Sequence, residues 1–216
     1  MLQWSVVVPA KRLVAAKTRL TPLTDALGDR LPAGHGGLVL ALLADTVAAA
    51  RESPAVGQVL VVTDEPEAAE LVRALGAAVV GDEPDSGLNP ALAHGAAQAQ
   101  RRAPGPVAAL SSDLPALRPD ELTGALDAAG RVARAFVVDA AGTGTTLLAV
   151  RDGELAPRFG PGSAAAHAAG QAVALPGDWP GLRQDVDTPA DLHTACWLGV
   201  GPRTTRFLEA ISRPSR

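Results

Sequence analysis

The chain has 216 residues, 47% hydrophobic and 19% charged, with a formal net charge of −4. That length and apolar content suit one domain with a real core and exclude global disorder, while the acidic balance excludes a basic nucleic-acid footprint. A single cysteine, Cys196, excludes an internal disulfide and a multi-thiolate metal site and fits a reduced, cytoplasmic setting; no apolar run is long enough to cross a membrane.

The N-terminal segment is apolar but has no basic lead and meets Pro9, so Trp4 to Val8 reads as a β-branched strand and not as a signal peptide. Leu38 to Arg51 has helical spacing without Gly or Pro. Gln58 to Val62 is a second strand, and Glu67 to Leu75 a helix opened by Pro66 and closed by Gly76. Ala77 to Val80 is a short strand. Pro90 to Arg102 is a helix for which Asn89 is the candidate N-cap. Val107 to Leu110 is a strand, Pro119 to Ala129 a helix, and Ala135 to Asp139 a strand that turns through Gly and Thr residues into Thr145 to Val150 as a hairpin. Ser163 to Ala169 is a short helix, Gln171 to Leu175 a strand and Pro189 to Leu198 a helix on which Cys196, beside Trp197, reads as a packing residue. Residues 202–216 read as a small helix and tail, separate from a domain spanning 1–201.

Strands alternating with helices predict an α/β fold, a mostly parallel mixed sheet with helices on both faces. In such sheets ligands bind beyond the carboxyl ends of the strands, so residues that follow strands are the candidates for chemistry.

Four features meet that condition. The loop after the first strand holds Lys11, Arg12, Lys17 and Arg19, including both lysines of a chain with 19 basic residues; it is neither a Walker A loop nor G-x-G-x-x-G, yet its charge density suits polyphosphate. Asp113, in Ser111-Ser112-Asp113-Leu114-Pro115, directly follows a strand, where a carboxylate holds Mg²⁺ or caps a turn. Asp185 and Asp187 are spaced i, i+2 in an extended segment, so they point the same way and repel unless a cation lies between them; one of them could instead cap the helix at Pro189. Asp139 to Thr146, with Phe159-Gly160-Pro161-Gly162-Ser163, combines glycines and hydroxyls suited to an anion pocket built from backbone N–H groups, or to a plain hairpin turn and Ser cap. His35, His94, His167 and His193 are scattered, each reading as a surface or satisfied core residue.

In order and spacing, Val8-Pro9-Ala10-Lys11 with Lys17-Thr18-Arg19-Leu20, Leu43-Ala44-Asp45-Thr46, Ser112-Asp113-Leu114-Pro115, Gly142-Thr143-Gly144-Thr145, Phe159-Gly160 with Ser163, and Trp179-Pro180-Gly181-Leu182-Arg183 with Asp185-Val186-Asp187-Thr188-Pro189 resemble a known family. It is that of the 2-phospho-L-lactate and phosphoenolpyruvate guanylyltransferases of deazaflavin coenzyme F-420 biosynthesis; the Ala- and Arg-rich composition resembles the actinobacterial, phosphoenolpyruvate branch. The resemblance implies a nucleotidyltransferase fold like that of glycosyltransferase-A and molybdenum-cofactor guanylyltransferases. It implies that Asp113, Asp185 and Asp187 bind Mg²⁺. It further implies that Thr145, Gly160 and Ser163 hold the carboxylate end of a small phosphorylated acid. Lys17 and Arg19, with Lys11 and Asn89, would bind GTP, Lys17 and Arg19 also stabilising the leaving pyrophosphate. Phosphoenolpyruvate, 2-phospholactate and 3-phosphoglycerate all remain open as acceptors, as does a homodimer. The competing readings are a molybdenum-cofactor or sugar-phosphate nucleotidyltransferase, which usually has a glycine-rich first loop where Ala15-Ala16-Lys17 stands here, and a non-catalytic GTP-binding module, which would not need three carboxylates.

Overall fold

The computed structural model describes residues 2–10, 20, 34–83 and 85–212, with residues 34, 35 and 212 described by their backbone alone. Seven strands form one sheet in the order β3-β2-β1-β4-β6-β5-β7: β1 (Trp4–Pro9), β2 (Val56–Val62), β3 (Ala78–Val80), β4 (Val107–Leu110), β5 (Arg134–Val138), β6 (Thr145–Val150) and β7 (Val173–Ala174). The described helices are α1 (Gly34–Glu52), α2 (Pro66–Ala74), α3 (Leu88–Arg102), α4 (Pro119–Ala129), α5 (Ser163–Ala169), α6 (Pro180–Arg183), α7 (Pro189–Leu198) and α8 (Pro202–Ser212). None is long and apolar enough to cross a membrane.

The central strand shows why the sheet is covered on both faces. Successive side chains of β1 point to opposite sides. Trp4, Val6 and Val8 enter a core shared with Leu43 and Val47 of α1, Ala68 and Val72 of α2, and Leu122 and Leu126 of α4. Val7 enters the opposite core, with Leu60, Leu92 of α3, Phe136 and Leu148. Both layers are therefore apolar, as a parallel sheet buried on two faces requires. The alanine-rich composition sets how close the layers come. At Gly95 on α3 a Cβ would lie 2.5 Å from Val62 Cγ2 and 2.6 Å from Val7 Cγ1, so that helix rests directly on β1 and β2.

A third core joins Leu38 and Leu42 of α1 to Val186, Leu192 and Ala195 of α7, and Phe207 of α8. Asp45 ties this corner together: its carboxylate accepts from the backbone N–H groups of Arg203 at 3.1 Å and Thr204 at 2.8 Å and so caps α8 from a helix more than 150 residues earlier. Because α7 turns Leu192 and Ala195 inward, Cys196 faces outward beside Trp197, which is 84% exposed, so Cys196 is not the packing residue expected.

The connection that matters for function is β6. It alone runs against the other strands, pairing antiparallel with β4 and β5. Its first residue, Thr145, therefore arrives at the same edge as the carboxyl ends of β1, β4 and β5, where Ser111 N–H donates to Thr146 O at 2.9 Å.

A candidate active site at the carboxyl edge of the sheet

At that edge lies a cleft of about 940 Å³. Pro9 and Ala10 from β1, Asp113 after β4, Asp139 after β5, Thr145 opening β6, and Asp185 and Asp187 before α7 all line it, as do Gly160 and Ser163. Lys11, Lys17 and Arg19 lie outside the described residues, although Ala10, the residue before Lys11, is on the cleft wall.

The carboxylates are placed by backbone. Val186 N–H donates to Asp113 O at 3.1 Å, which docks the 185–187 segment on the turn after β4. Val186 is wholly buried, so its neighbours Asp185 and Asp187 turn to the opposite side, into the cleft. The turn itself is held from α1, where Thr46 Oγ1 accepts from Leu114 N–H at 2.9 Å. Neither Asp185 nor Asp187 caps α7. Thr188 and Asp191 form a reciprocal capping box there: Asp191 Oδ2 accepts from Thr188 N–H at 2.8 Å and Thr188 Oγ1 accepts from Asp191 N–H at 3.3 Å.

Among the described residues no three His, Cys, Asp or Glu side chains are grouped tightly enough to hold a metal ion by themselves. The donor set nevertheless fits a hard divalent cation. All its members are carboxylate oxygens at the mouth of one cleft, and Mg²⁺ commonly takes one or two carboxylates and completes its shell with water and substrate phosphate.

A second group of cleft residues is held by side-chain hydrogen bonds. Thr145 Oγ1 lies 2.9 Å from Nδ1 of His167, a buried residue of α5. His167 Nε2 accepts from Arg158 N–H at 3.0 Å. Burial, then the Arg134 and Arg158 guanidinium groups, lower the imidazole pKa to about 4, so the ring is neutral near pH 7. Phe136 and Phe159 enclose it, the latter edge-on at 5.2 Å. Ser163 is one helical turn before His167, and its hydroxyl meets the cleft with no hydrogen-bond partner among the described residues.

Asn89 has a different place from the cap anticipated for it. The helix begins two residues earlier than expected, after Gly87 at φ 110°, so Asn89 lies in the first turn of α3. Its amide donates to Phe159 O at 2.9 Å and accepts from Phe159 N–H at 2.7 Å, clamping the peptide that precedes Gly160. The anticipated pocket of backbone N–H groups is also altered, because the turns use most of them internally. Thr143 N–H donates to Asp139 Oδ1 at 2.9 Å, Ser163 N–H to Gly160 O and Ala164 N–H to Thr143 O, both at 3.1 Å. What remains open toward the cleft is the Thr145 and Ser163 hydroxyls and the Gly160 N–H, for which no described group accepts.

Asp139 and Arg183, named in the sequence only as members of longer motifs, have contributions of their own. Asp139 is buried on the cleft wall, and Gly144 leaves it room, since any Cβ there would overlap its carboxylate. Arg183 donates to Val138 O at 3.0 Å and Asp139 O at 3.2 Å, joining the end of β5 to the segment that leads to Asp185. The preceding Gly181 passes so close to Ala116 O that only glycine fits, which accounts for part of the Trp179-Pro180-Gly181-Leu182-Arg183 motif.

Solved structures share this architecture. A protein from Desulfovibrio desulfuricans G20 assigned as a nucleotide-diphospho-sugar transferase superposes with a TM-score of 0.68 at 17% identity, covering 98% of this chain and 97% of that one. A nucleotidyl transferase from Methanothermobacter thermautotroptrophicus gives 0.57 at 17% identity over 96% and 98%. A manganese-bound protein from Mycobacterium tuberculosis gives 0.51 at 21% over 90% and 98%. The fold, with its cleft at the carboxyl edge, is that of the nucleotidyltransferases.

The sequence comparison narrows the class. The profile of the family described as "Guanylyl transferase CofC like" matches residues 4–213, and a phosphoenolpyruvate guanylyltransferase from Geodermatophilus obscurus is 64% identical over 212 residues, 98% of this chain and 97% of that protein. The chain belongs to this guanylyl transferase family and is an enzyme.

Proposed function

We propose that the protein transfers GMP from GTP to the phosphate of phosphoenolpyruvate, releasing pyrophosphate, as a step of deazaflavin coenzyme F-420 biosynthesis. One observation carries this reading beyond the family assignment. Asp113, Asp185 and Asp187 line the same cleft as Thr145, Gly160 and Ser163, so one small molecule can meet both groups through a phosphate and a carboxylate.

The reaction forms a bond between an acceptor phosphate oxygen and the α-phosphorus of GTP and breaks the α–β bridge. Phosphate is already an adequate nucleophile, so no covalent enzyme intermediate is needed; catalysis is positioning and neutralisation of charge. Asp113, Asp185 and Asp187 would hold Mg²⁺, which when bound supplies charge neutralisation at the phosphates. The manganese-bound neighbour supports a divalent ion at this fold. Thr145 and Ser163 donate hydroxyl hydrogen bonds to the acceptor carboxylate, and the Gly160 N–H adds a third donor. Gly160 at φ 131° has a backbone angle that favours glycine and presents no side chain there. Asn89 keeps the Phe159–Gly160 peptide in register. Lys11, Lys17 and Arg19 would bind the triphosphate and stabilise departing pyrophosphate.

The test is a matrix of four nucleoside triphosphates against phosphoenolpyruvate, 2-phospholactate and 3-phosphoglycerate, with and without EDTA, read by pyrophosphate release and product mass. Turnover confined to GTP with phosphoenolpyruvate and abolished by EDTA is expected. Preference for another acid replaces the acceptor assignment, and full activity in EDTA removes the metal assignment.

A further inference from the structure

We propose that His167 is a positioning residue for the acceptor: its Nδ1–H donates to Thr145 Oγ1, which leaves the Thr145 hydroxyl hydrogen to point into the cleft as a fixed donor for a carboxylate oxygen. The inference rests on the reading of Thr145 as an acceptor-binding residue.

The chain of donors has one solution. A backbone N–H can only donate, so the 3.0 Å contact from Arg158 N–H makes His167 Nε2 an acceptor with a lone pair. A neutral imidazole with a lone pair on Nε2 carries its hydrogen on Nδ1. That hydrogen is directed at Thr145 Oγ1, 2.9 Å away. The hydroxyl therefore accepts from His167, and its own hydrogen has no other described acceptor. Thr145 lines the cleft, so the hydrogen faces the substrate space. A hydroxyl free to rotate can turn its hydrogen toward the imidazole; here His167 Nδ1–H occupies that direction, so the hydroxyl hydrogen is kept away from the ring and is available to an incoming anion before substrate arrives.

The surroundings keep this tautomer. His167 is 3% exposed. Protonation would put a second hydrogen on Nε2 against the Arg158 N–H, and it is further opposed by desolvation and by the guanidinium groups of Arg134, at the start of β5, and Arg158. Positive charge near the acid end is thus carried by those arginines, and the imidazole serves as a neutral connector. The same ring also fixes the Arg158 peptide next to Phe159, so His167 and Asn89 grip the acid-binding loop at adjacent residues.

His167→Gln and His167→Asn separate the two contacts. A glutamine amide reaches the Nε2 position and can still accept from Arg158, but it leaves Thr145 without its donor. An asparagine amide reaches the Nδ1 position and can still donate to Thr145. With GTP saturating and phosphoenolpyruvate varied, His167→Gln is expected to raise the KM for the acid by roughly five- to tenfold, with the KM for GTP unchanged. His167→Asn should recover most of that loss. In a Thr145→Val background His167→Gln should add less than about twofold, because the group it orients is gone. An equal penalty with and without Thr145 overturns the proposal, as does a matching rise in the KM for GTP. Circular dichroism and Tm of each variant identify any that misfold. A readout independent of turnover is ¹⁵N-NMR of the imidazole in the wild-type protein: a hydrogen on Nδ1 supports the proposal and one on Nε2 overturns it. Absence of turnover with phosphoenolpyruvate but with the hydrogen on Nδ1 would reject the acceptor assignment while upholding the His167–Thr145 contact.

Discussion

The two ends of the cleft are held in different ways. At the acid end the functional groups are fixed by side chains: His167 bridges Thr145 and Arg158, and Asn89 grips both polar atoms of the Phe159 peptide. At the carboxylate end it is backbone that is fixed. Val186 N–H docks on Asp113 O, Thr46 holds the Leu114 N–H, and Thr188 with Asp191 caps α7. The first arrangement yields neutral donors that are ready before substrate binds. The second delivers several carboxylates to one wall, which in the proposed function are neutralised by a divalent cation. Substitutions at the acid end should therefore act mainly on acceptor affinity, and those at the carboxylate end on turnover.

The largest effect is expected at the carboxylate end. Asp113→Asn keeps shape and removes charge, and should lower kcat on the order of a hundredfold or more, measured by pyrophosphate release. Near-normal turnover would erase the contrast between the ends. Asn89→Ala comes next. It strips two hydrogen bonds from the Phe159 peptide and should raise the KM for the acid by about tenfold with a smaller change in kcat, read by steady-state kinetics with the acid varied. A loss in kcat alone would move Asn89 to the nucleotide side. Ser163→Ala removes one hydroxyl from a wall that keeps Thr145 and Gly160, and should raise the same KM by about threefold to tenfold; an unchanged KM removes Ser163 from the site.

The smallest effect is on stability with pH. Above the ordinary histidine value of 6.5, His167 is neutral in the folded and unfolded chains alike and adds no pH dependence. Below it the unfolded chain takes a proton that the folded chain refuses until about pH 4, so stability falls as the solution is acidified between those limits. Comparing Tm at about pH 7.5 and about pH 5 should show a larger drop for wild type than for His167→Gln, which has no such group. Equal drops would mean that the imidazole is not shielded as described.

Most of the architecture was legible in local patterns. The β-branched runs of β1 and β2, the Pro119 and Pro189 helix starts and the Thr145 hairpin all lie where spacing and turn chemistry place them, because local preference and tertiary packing agree there. Asn89 was misread as a cap because its residue type suits that job, while its partner at Phe159 is 70 residues away and invisible to any local rule. His167 was read only as a surface or satisfied core residue, and the structure buries it; the overlooked signal was its spacing of one helical turn from Ser163. Cys196 misled because apolar type alone does not say which face of a helix turns inward. Asp185 and Asp187 line the same cleft because alternation in an extended segment fixes direction without knowledge of the fold.

The cap that Asp45 places on α8 also bears on what a shortened chain would lose. A buried carboxylate near the middle of α1 accepts from two amides of the last described helix, residues 203 and 204. A chain cut before residue 203 would lack both amides and the helix they begin, so it would lose the cap and the cover of Asp45 together, and the third core would open at the corner next to the Asp113 turn.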